Sequence, residues 1–397
     1  MPKEKTPCLV LYIVCGTFVY AVSGGFRDNY GIMLPYIVGW SSVSYATVSF
    51  IIALGQLLFG FMQPVFGLIA LRTSNRFVLF LGAGMMLCGL LSIPLSHSAF
   101  LLTLSLGMLL PSGTAAAAFG LIMSCITPRV TPREAHTAAG FVASGCGISI
   151  CLLSPTIQSI IASRGITGAV FALCIPVLMF IPATWVLTHS STGQKAVPAT
   201  SRVAESTGAL FAGAFRHPTY RRITFGFFTC GFHMAMIQTH LFSQLAAFGV
   251  SERAASYALS TYGLGVVTGA VLSGAACARF LMGRILGVLY GSRCLWVGLL
   301  LLPLPVPVLF FIIFLLGVTG PATLAPTSGL VNKCFGAVRL AVLFGFVYLV
   351  HQTGAFCSAW AGGLCVELTG SYSGVWYADI TLCMLASIAC FGVREKA

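Results

Sequence analysis

Charged residues are scarce in this 397-residue sequence: only 7% are Asp, Glu, Lys or Arg, and only eight are acidic. Soluble globular domains carry about 25% charged residues, so the scarcity excludes a protein whose only solvent is water. Hydrophobic residues make up 58% of the chain. Apolar runs long enough to cross a hydrocarbon core about 30 Å thick follow one another almost end to end. The runs are continuous and not alternating, which predicts an all-α membrane protein instead of a membrane β-barrel.

Further absences narrow the function. No GxxxxGK[ST] motif is present, so ATP is not expected to drive the protein. The 15 cysteines contain no CxxC pair and nearly all lie in apolar runs, so we interpret them as small packing residues and expect no metal and no cofactor. An enzyme would bring a clustered nucleophile and base, and a sensor would bring an appended soluble domain; neither is visible in the sequence.

Hydrophobic runs divide the chain into two sets of six predicted spans. A signal peptide is the alternative for the first run, because Lys3 and Lys5 precede it and residues 21–23 resemble a cleavage site. The run continues to near Pro35, however, which favours an uncleaved helix. The predicted spans cover residues 8–37, 43–70, 77–95, 98–126, 135–162, 166–188, 222–249, 253–278, 285–303, 305–332, 338–366 and 373–393.

The longest polar stretch separates the two sets and carries Lys195, Arg202 and Arg216. The predicted organisation is an N-terminal six-helix bundle at residues 1–188, a cytoplasmic linker at 189–220 and a C-terminal six-helix bundle at 221–397.

Positive charge predicts the orientation. If the first span starts inside, 17 of the 21 Lys and Arg residues fall on the cytoplasmic side, Arg164 and Arg253 fall outside, and Arg27 and Arg293 lie within spans. We therefore expect a multi-pass protein of the cell (inner) membrane with both termini in the cytoplasm. The positive residues are scattered over short loops, so the net charge of +13 does not indicate nucleic-acid binding.

The two sets of spans share short sequence matches. Residues 120–121 recur as 329–330 in the fourth and tenth spans, and residues 140–142 recur as 345–347 in the fifth and eleventh. Similar offsets are typical of a duplicated six-helix unit, whose two bundles can rock about a shared site near the membrane midplane.

Twelve spans in paired halves with a basic central linker resemble the major facilitator superfamily. The loop after the second span keeps part of the family signature: Gly67, Arg72 and Arg76 match it, whereas Leu71 stands at the usual acidic position and Ser74 at a later glycine. The resemblance implies a gating role for the two arginines. Residues 232–241 and 344–380 resemble a bacterial branch near the oxalate/formate antiporters and the monocarboxylate transporters, most of which move small organic anions.

Arg27 and Asp28 interrupt the first apolar run. An ionisable residue at this depth is a functional candidate, because burying it in lipid is costly. The resemblance implies that the first helix lines the central cavity, and monocarboxylate transporters carry a substrate-linked lysine at a similar place. We expect Arg27 to bind the carboxylate of the substrate. Neighbouring residues point about 100° apart on a helix, so both charges are expected to reach other helices. Asp28 is either a proton-coupling group or, as we favour, the counter-charge of Arg27.

The second half supplies further polar candidates. His233 and His240 lie two turns apart on one helix face with Gln238 nearby, which suits substrate binding and proton coupling. His351 and Gln352 interrupt the eleventh span and are coupling candidates or interhelical contacts. Arg293 and Asp379 are predicted to form a structural ion pair. Monocarboxylate transporters carry an Asp and an Arg in the eighth helix, and the aligned residues here are Val266 and Ala270. This departure from the family pattern disfavours a literal proton/lactate symport mechanism.

These features predict a secondary active transporter of a small organic anion, a carboxylate above all, that works by alternating access. Energy would come from a proton gradient or from exchange against a counter-anion. The first alternative is efflux of a hydrophobic or cationic compound, which an acidic cavity would favour and the excess of intramembrane positive charge disfavours. The second alternative is a membrane-embedded sensor or enzyme. The expected partners are the anionic substrate and the lipid bilayer, and we expect a monomer.

Overall fold

Helices account for almost all of the chain that is described. The structure, a computed structural model, describes residues 6–189 and 207–395, and those two ranges contain no β-strand. The all-α class predicted from the apolar runs is confirmed. The chain divides into two units, Met1–Pro198 and Ala199–Ala397.

Residues 6–189, the described part of the N-terminal unit, form eight α-helices, and a π-helical turn at Thr103–Leu109 joins the fifth to the sixth. Helix α1 packs along α8, and α3 and α4 pack against α6. The helices are α1 Thr6–Asp28, α2 Tyr30–Ser41, α3 Tyr45–Arg72, α4 Asn75–Ser92, α5 Ala99–Leu102, α6 Leu110–Ala116, α7 Phe119–Ile126 and α8 Pro132–Thr188.

Hydroxyl side chains begin several of these helices. Ser44, Ser74 and Ser98 each accept a hydrogen bond from the backbone N–H three residues later. Thr131 and Glu134 form a capping box in which each side chain accepts a hydrogen bond from the other residue's backbone N–H. These caps satisfy N–H groups that have no partner within their own helix.

A bend at Gly165 divides α8, which otherwise runs for 57 residues. Gly165 has φ +68°, in the region that residues with a side chain rarely adopt. The bend lies between the predicted spans at residues 135–162 and 166–188, which is consistent with two spans within α8.

Residues 207–395, the described part of the C-terminal unit, also form eight α-helices. Its core packs aromatic rings of α10, α12 and α15, and the hydroxyl of Tyr220 donates to the carbonyl of Leu343 at 2.9 Å. The helices are α9 Thr207–Arg216, α10 Pro218–Ala247, α11 Glu252–Cys277, α12 Met282–Leu300, α13 Val306–Thr319, α14 Leu324–Phe335, α15 Ala337–Thr369 and α16 Ser373–Phe391.

Part of the segment predicted as a linker is helical. Residues 207–216 form α9 and α10 begins at Pro218, because this stretch has apolar residues, among them Leu210 and Ala214, that pack into the C-terminal core. Lys195 and Arg202 lie outside the described residues.

Nine helices of the described ranges are long and apolar enough to cross a membrane. One of the nine is the segment Thr137–Thr188, which the Gly165 bend divides into two crossings. Two more helices of membrane-spanning length, α10 and α12, carry the histidine pair and Arg293. The arrangement is therefore consistent with twelve crossings.

Candidate functional site

The charged pair of the first span lies at a break in the helix. Helix α1 ends at Asp28 and α2 starts at Tyr30, with Asn29 between them at φ −112° and ψ 10°. The Asn29 amide donates to the carbonyl of Gly25 at 2.7 Å and accepts from the hydroxyl of Ser154 on α8, also at 2.7 Å. The Asn29 side chain thus pairs with a backbone carbonyl of α1 and with a hydroxyl of α8. These two hydrogen bonds hold the break against α8, together with the two charged residues that precede it.

Arg27 and Asp28 contact each other directly. The Arg27 Nε lies 3.6 Å from the Asp28 Oδ1, with 14% of the arginine side chain exposed and 4% of the aspartate. Both charges were expected to reach other helices; the structure shows that they also contact each other, at the end of α1. The Arg27 guanidinium also lies over the ring of Phe59 on α3, with its carbon 4.1 Å from the ring centroid, which places it within reach of a second helix.

Tyr30 and Gln56 are two polar residues of the same unit that the sequence analysis missed. Each is only 2% exposed. Among the described residues, the Tyr30 hydroxyl and the Gln56 amide nitrogen have no hydrogen-bond partner. Gln56 could have been identified from the sequence, because it is a polar residue in the middle of the apolar run 43–70.

The two histidines of α10 contact different helices. The ring nitrogen Nδ1 of His233 lies 2.7 Å from Oδ2 of Asp379 on α16, and Nε2 of His240 lies 2.8 Å from the carbonyl oxygen of Ala359 on α15. Both imidazoles are fully buried, and Gln238 between them is 6% exposed. Both histidines therefore join helices of the C-terminal unit.

The predicted ion pair between Arg293 and Asp379 is absent from the described residues, and each residue has another partner. Arg293 on α12 donates through Nη2 to the carbonyl oxygens of Thr319 and Gly320, the latter at 2.8 Å. These carbonyls end α13, where the backbone breaks before the short 3₁₀ turn Pro321–Thr323. The correction has a physical reason: carbonyls at a helix end lack intrahelical partners and attract a cation, and the aspartate already faces an imidazole.

Cys383 completes the buried polar group around Asp379. The ligand-type atoms of His233, Asp379 and Cys383 lie within 4.8 Å of one another, a spacing that a metal ion could also use. A hydrogen bond of 2.7 Å already joins two of them, however, and Arg293 lies close enough to Cys383 to interact electrostatically. The added positive charge disfavours a cation at this position.

Two of the remaining candidates, His351 and Arg76, contact neighbouring helices. His351 and Gln352 are buried, and the His351 ring contacts the ring of Phe227 on α10, with centroids 4.7 Å apart. Arg76 donates to the Thr188 hydroxyl at 3.1 Å and lies over the ring of Trp185, which connects α4 to the end of α8. Arg72 is exposed in the last turn of α3.

Comparisons with known proteins agree with this architecture. The model of the Major Facilitator Superfamily matches residues 16–247. An uncharacterized MFS-type transporter of Bacillus subtilis, YcxA, is 22% identical over 399 residues, covering 93% of this chain and 91% of its own. Monocarboxylate transporter 13 of Rattus norvegicus is 22% identical over 370 residues, covering 91% of this chain and 83% of its own.

A solved structure supplies the fold comparison. It is a bacterial homolog of the human lysosomal transporter Spinster in an inward-facing and occupied conformation, with a TM-score of 0.72, 14% sequence identity and coverage of 98% of this chain and 96% of that one. The family match spans more than half of the sequence, and the fold agrees with it over nearly the whole length. The chain therefore belongs to the Major Facilitator Superfamily of membrane transporters.

Proposed function

We propose that this transporter moves a small organic anion with a carboxylate group across the cell (inner) membrane, by secondary active transport with alternating access. The observation that carries the proposal is Arg27, a guanidinium near the middle of the first span at a fixed helix break. A proton gradient or exchange against a second anion would supply the energy. Both chain termini would lie in the cytoplasm.

The energetics of the site support an anionic substrate. An arginine at the centre of a membrane helix costs about 2.5–3.5 kcal/mol on insertion scales, so its presence suggests a function that compensates the cost. A guanidinium has five N–H donors in a planar fork that matches a carboxylate in two-point contact. Asp28 lies 3.6 Å from Nε, and an arriving carboxylate would compete with it for the same cation. Such competition would lower the affinity of Arg27 for the substrate anion and so favour its release.

The relatives support the same class of substrate. Two relatives carry the name monocarboxylate transporter: the rat protein, and monocarboxylate transporter 11 of Mus musculus, which is 27% identical over 277 residues, covering 68% of this chain and 58% of its own. The buried imidazoles of α10 contact Asp379 and a backbone carbonyl, so we assign His233 and His240 to the packing of the C-terminal unit. The proposal therefore gives anion binding to Arg27.

Replacing Arg27 by glutamine is expected to lower uptake of a radiolabelled carboxylate by roughly 10- to 100-fold. The estimate follows from the loss of a hydrogen-bonded charge, about 1.5–3 kcal/mol. The measurement is initial-rate uptake by proteoliposomes with an imposed proton gradient or with a preloaded counter-anion. Arg27→Lys keeps the positive charge but loses the planar group that contacts a carboxylate at two points, so intermediate uptake is expected.

Arg164→Gln is the matched control, because this arginine is exposed beside Gly165. It removes one positive charge from the same unit and is expected to leave uptake unchanged. If Arg27→Gln and Arg164→Gln transport equally well, Arg27 does not bind the anion and the proposal is wrong.

A further inference from the structure

Acidic side chains are almost absent from the membrane spans. Of the eight acidic residues in the sequence, only Asp28 and Asp379 lie inside the predicted spans. Each lies next to a base: Asp28 is 3.6 Å from the guanidinium of Arg27. Asp379 is 2.7 Å from the imidazole of His233. A guanidinium keeps its proton in proteins, whereas an imidazole gains and loses one near neutral pH. Of these two pairs, the one that joins α10 to α16 is therefore the pair whose base can change its charge.

The contact between His233 and Asp379 leaves one ring nitrogen to accept a proton. An ionised carboxylate only accepts hydrogen bonds, so Nδ1 of the imidazole carries the hydrogen of the 2.7 Å bond and Nε2 has the lone pair. Nε2 is buried and has no hydrogen-bond partner within residues 6–189 and 207–395. A proton that binds there turns the imidazole into an imidazolium and leaves the bond to Asp379 in place. The pair can therefore hold its two helices together in both protonation states.

Arg293 is the other charged group near this pair. It interacts electrostatically with Cys383, as Asp379 does. The other ionisable groups next to Arg293 or Asp379 are thiols and a phenol from α10, α12 and α16, namely Cys230, Cys294, Cys383 and Tyr290. Helix α15 brings one imidazole, His351, whose ring contacts Phe227. Helices α9, α11 and α14, which also pack on α10, carry charged residues only in a first or last turn. The charge around the pair thus depends on Arg293.

The total charge of this group lies close to zero with or without one added proton. Arg293 contributes one positive charge and Asp379 one negative charge. The end of α13, whose carbonyls at Thr319 and Gly320 accept from Arg293, contributes about −0.5. The total is therefore about −0.5 with a neutral imidazole and about +0.5 with an imidazolium. A divalent metal ion would instead leave about +1.5. The surroundings thus suit a single proton and strongly disfavour neither protonation state.

We propose that the His233–Asp379 pair binds the transported proton, and that the proton is the coupling ion. The inference rests on the proposed function, in which Arg27 binds the anion. The lone pair of Nε2 takes a proton from water on one side of the membrane and returns it to water on the other, and no other covalent bond changes. One proton and one monocarboxylate then cross together without net charge, so the membrane potential does not oppose them. The N-terminal unit binds the anion and the C-terminal unit binds the proton.

The test measures initial uptake by proteoliposomes in two modes. In the first, a pH gradient with the acid side outside drives uptake, and a pH-sensitive dye inside reports proton entry. In the second, unlabelled acid is preloaded and exchanges for labelled acid without a pH gradient. The probes are radiolabelled lactate, pyruvate and gluconate, and protein-free liposomes give the background. The unaltered protein is expected to show both modes, with proton entry in the first.

Two substitutions fix the charge of the pair in opposite states. Asp379→Asn keeps an acceptor for Nδ1 and gives the group the charge of the protonated state, about +0.5. It is expected to lose gradient-driven uptake and proton entry to background and to keep exchange. His233→Gln keeps an N–H donor for Asp379 and gives the group the charge of the unprotonated state, about −0.5. It is expected to lose both modes, and adding Asp379→Asn is expected to restore exchange.

His240→Gln is the matched control. His240 is a buried imidazole on the same helix, and its Nε2 lies 2.8 Å from the carbonyl oxygen of Ala359, which a glutamine can also reach as a donor. Both modes are expected to remain unchanged. Size-exclusion chromatography of each purified variant checks folding, and if His233→Gln fails to fold, the two modes of Asp379→Asn still decide.

The outcomes separate this inference from the proposed function. If the unaltered protein exchanges acids but shows no proton entry, the proton is not the coupling ion and the anion carrier stands. Proton-driven uptake that survives in Asp379→Asn shows that the pair does not bind the proton. Loss of exchange in Asp379→Asn, at unchanged folding, shows that the pair has a structural role only. If the unaltered protein takes up none of the probes in either mode, the proposed function fails and the inference with it.

Discussion

Replacing Gly269 by valine is expected to prevent the C-terminal unit from folding. Helices α11 and α13 approach so closely that a Cβ on Gly269 would meet the backbone carbonyl of Val318, and a Cβ on Gly265 would meet that of Phe314. Gly317 on the facing helix is equally close to the carbonyl of Tyr262. Gly265 and Gly269 form a GxxxG pair, the spacing with which membrane helices bring their backbones together.

A side chain at this contact must push two backbones apart. Overpacking in a core costs about 1–3 kcal/mol when side chains can adjust, and the effect here is larger because the obstacle is main chain. The measurement is the monodisperse fraction of detergent-solubilised protein in size-exclusion chromatography, together with its thermal midpoint. Gly269→Val is expected to lose most of the monodisperse peak.

Gly274→Val is the control for that experiment. Gly274 lies on the same helix, and nothing stands within 4 Å of a Cβ built there. We expect its peak and its thermal midpoint to match those of the unaltered protein. Equal behaviour of the two valine variants would contradict the close approach of α11 and α13.

The positions of the spans could be predicted from the sequence, because the length of an apolar run is read along the chain without knowing which residues contact each other. The predicted boundary between residues 162 and 166 coincides with the bend at Gly165, since a glycine between two apolar runs favours such a break. The run 8–37 was predicted as one element, and the structure divides it at Asn29. The signal for that break is the cluster of polar residues at 27–29, which the prediction treated only as candidate functional residues and not as the end of a helix.

Side-chain partners could not be predicted in the same way. Arg293 and Asp379 were paired because they are opposite charges in nearby spans, but the sequence does not say which face each helix turns to its neighbours. Asp379 faces α10 and Arg293 faces the end of α13. The carbonyls that bind Arg293 become available only because the backbone breaks at Gly320, which has φ −60° and ψ −96°. Arg27 and Asp28 could be singled out from the sequence because charges in an apolar run are visible without knowledge of their neighbours, and their role in transport stays a prediction.

Replacing Asp379 by leucine is expected to destabilise the C-terminal unit strongly, whereas Asp379→Asn is expected to have a small effect. The aspartate is the hydrogen-bond partner of His233 Nδ1, and both residues are fully buried. The other ring nitrogen, Nε2, already lacks a partner among the described residues. Leucine would leave the whole imidazole unsatisfied, while asparagine keeps an acceptor oxygen in place. Removing one member of a buried polar pair costs about 3–5 kcal/mol.

A double-mutant cycle decides which partner Asp379 has. Combining Asp379→Leu with His233→Phe removes both members of the pair, so the double variant is expected to recover much of the stability, with a coupling free energy of about 1–3 kcal/mol. Combining Asp379→Leu with Arg293→Met is expected to add the two losses, because Arg293 stabilises the carbonyls of Thr319 and Gly320 independently. Thermal midpoints in detergent measure both cycles. A larger coupling for the Arg293 combination than for the His233 combination would restore the direct ion pair and refute the arrangement in which Arg293 caps α13.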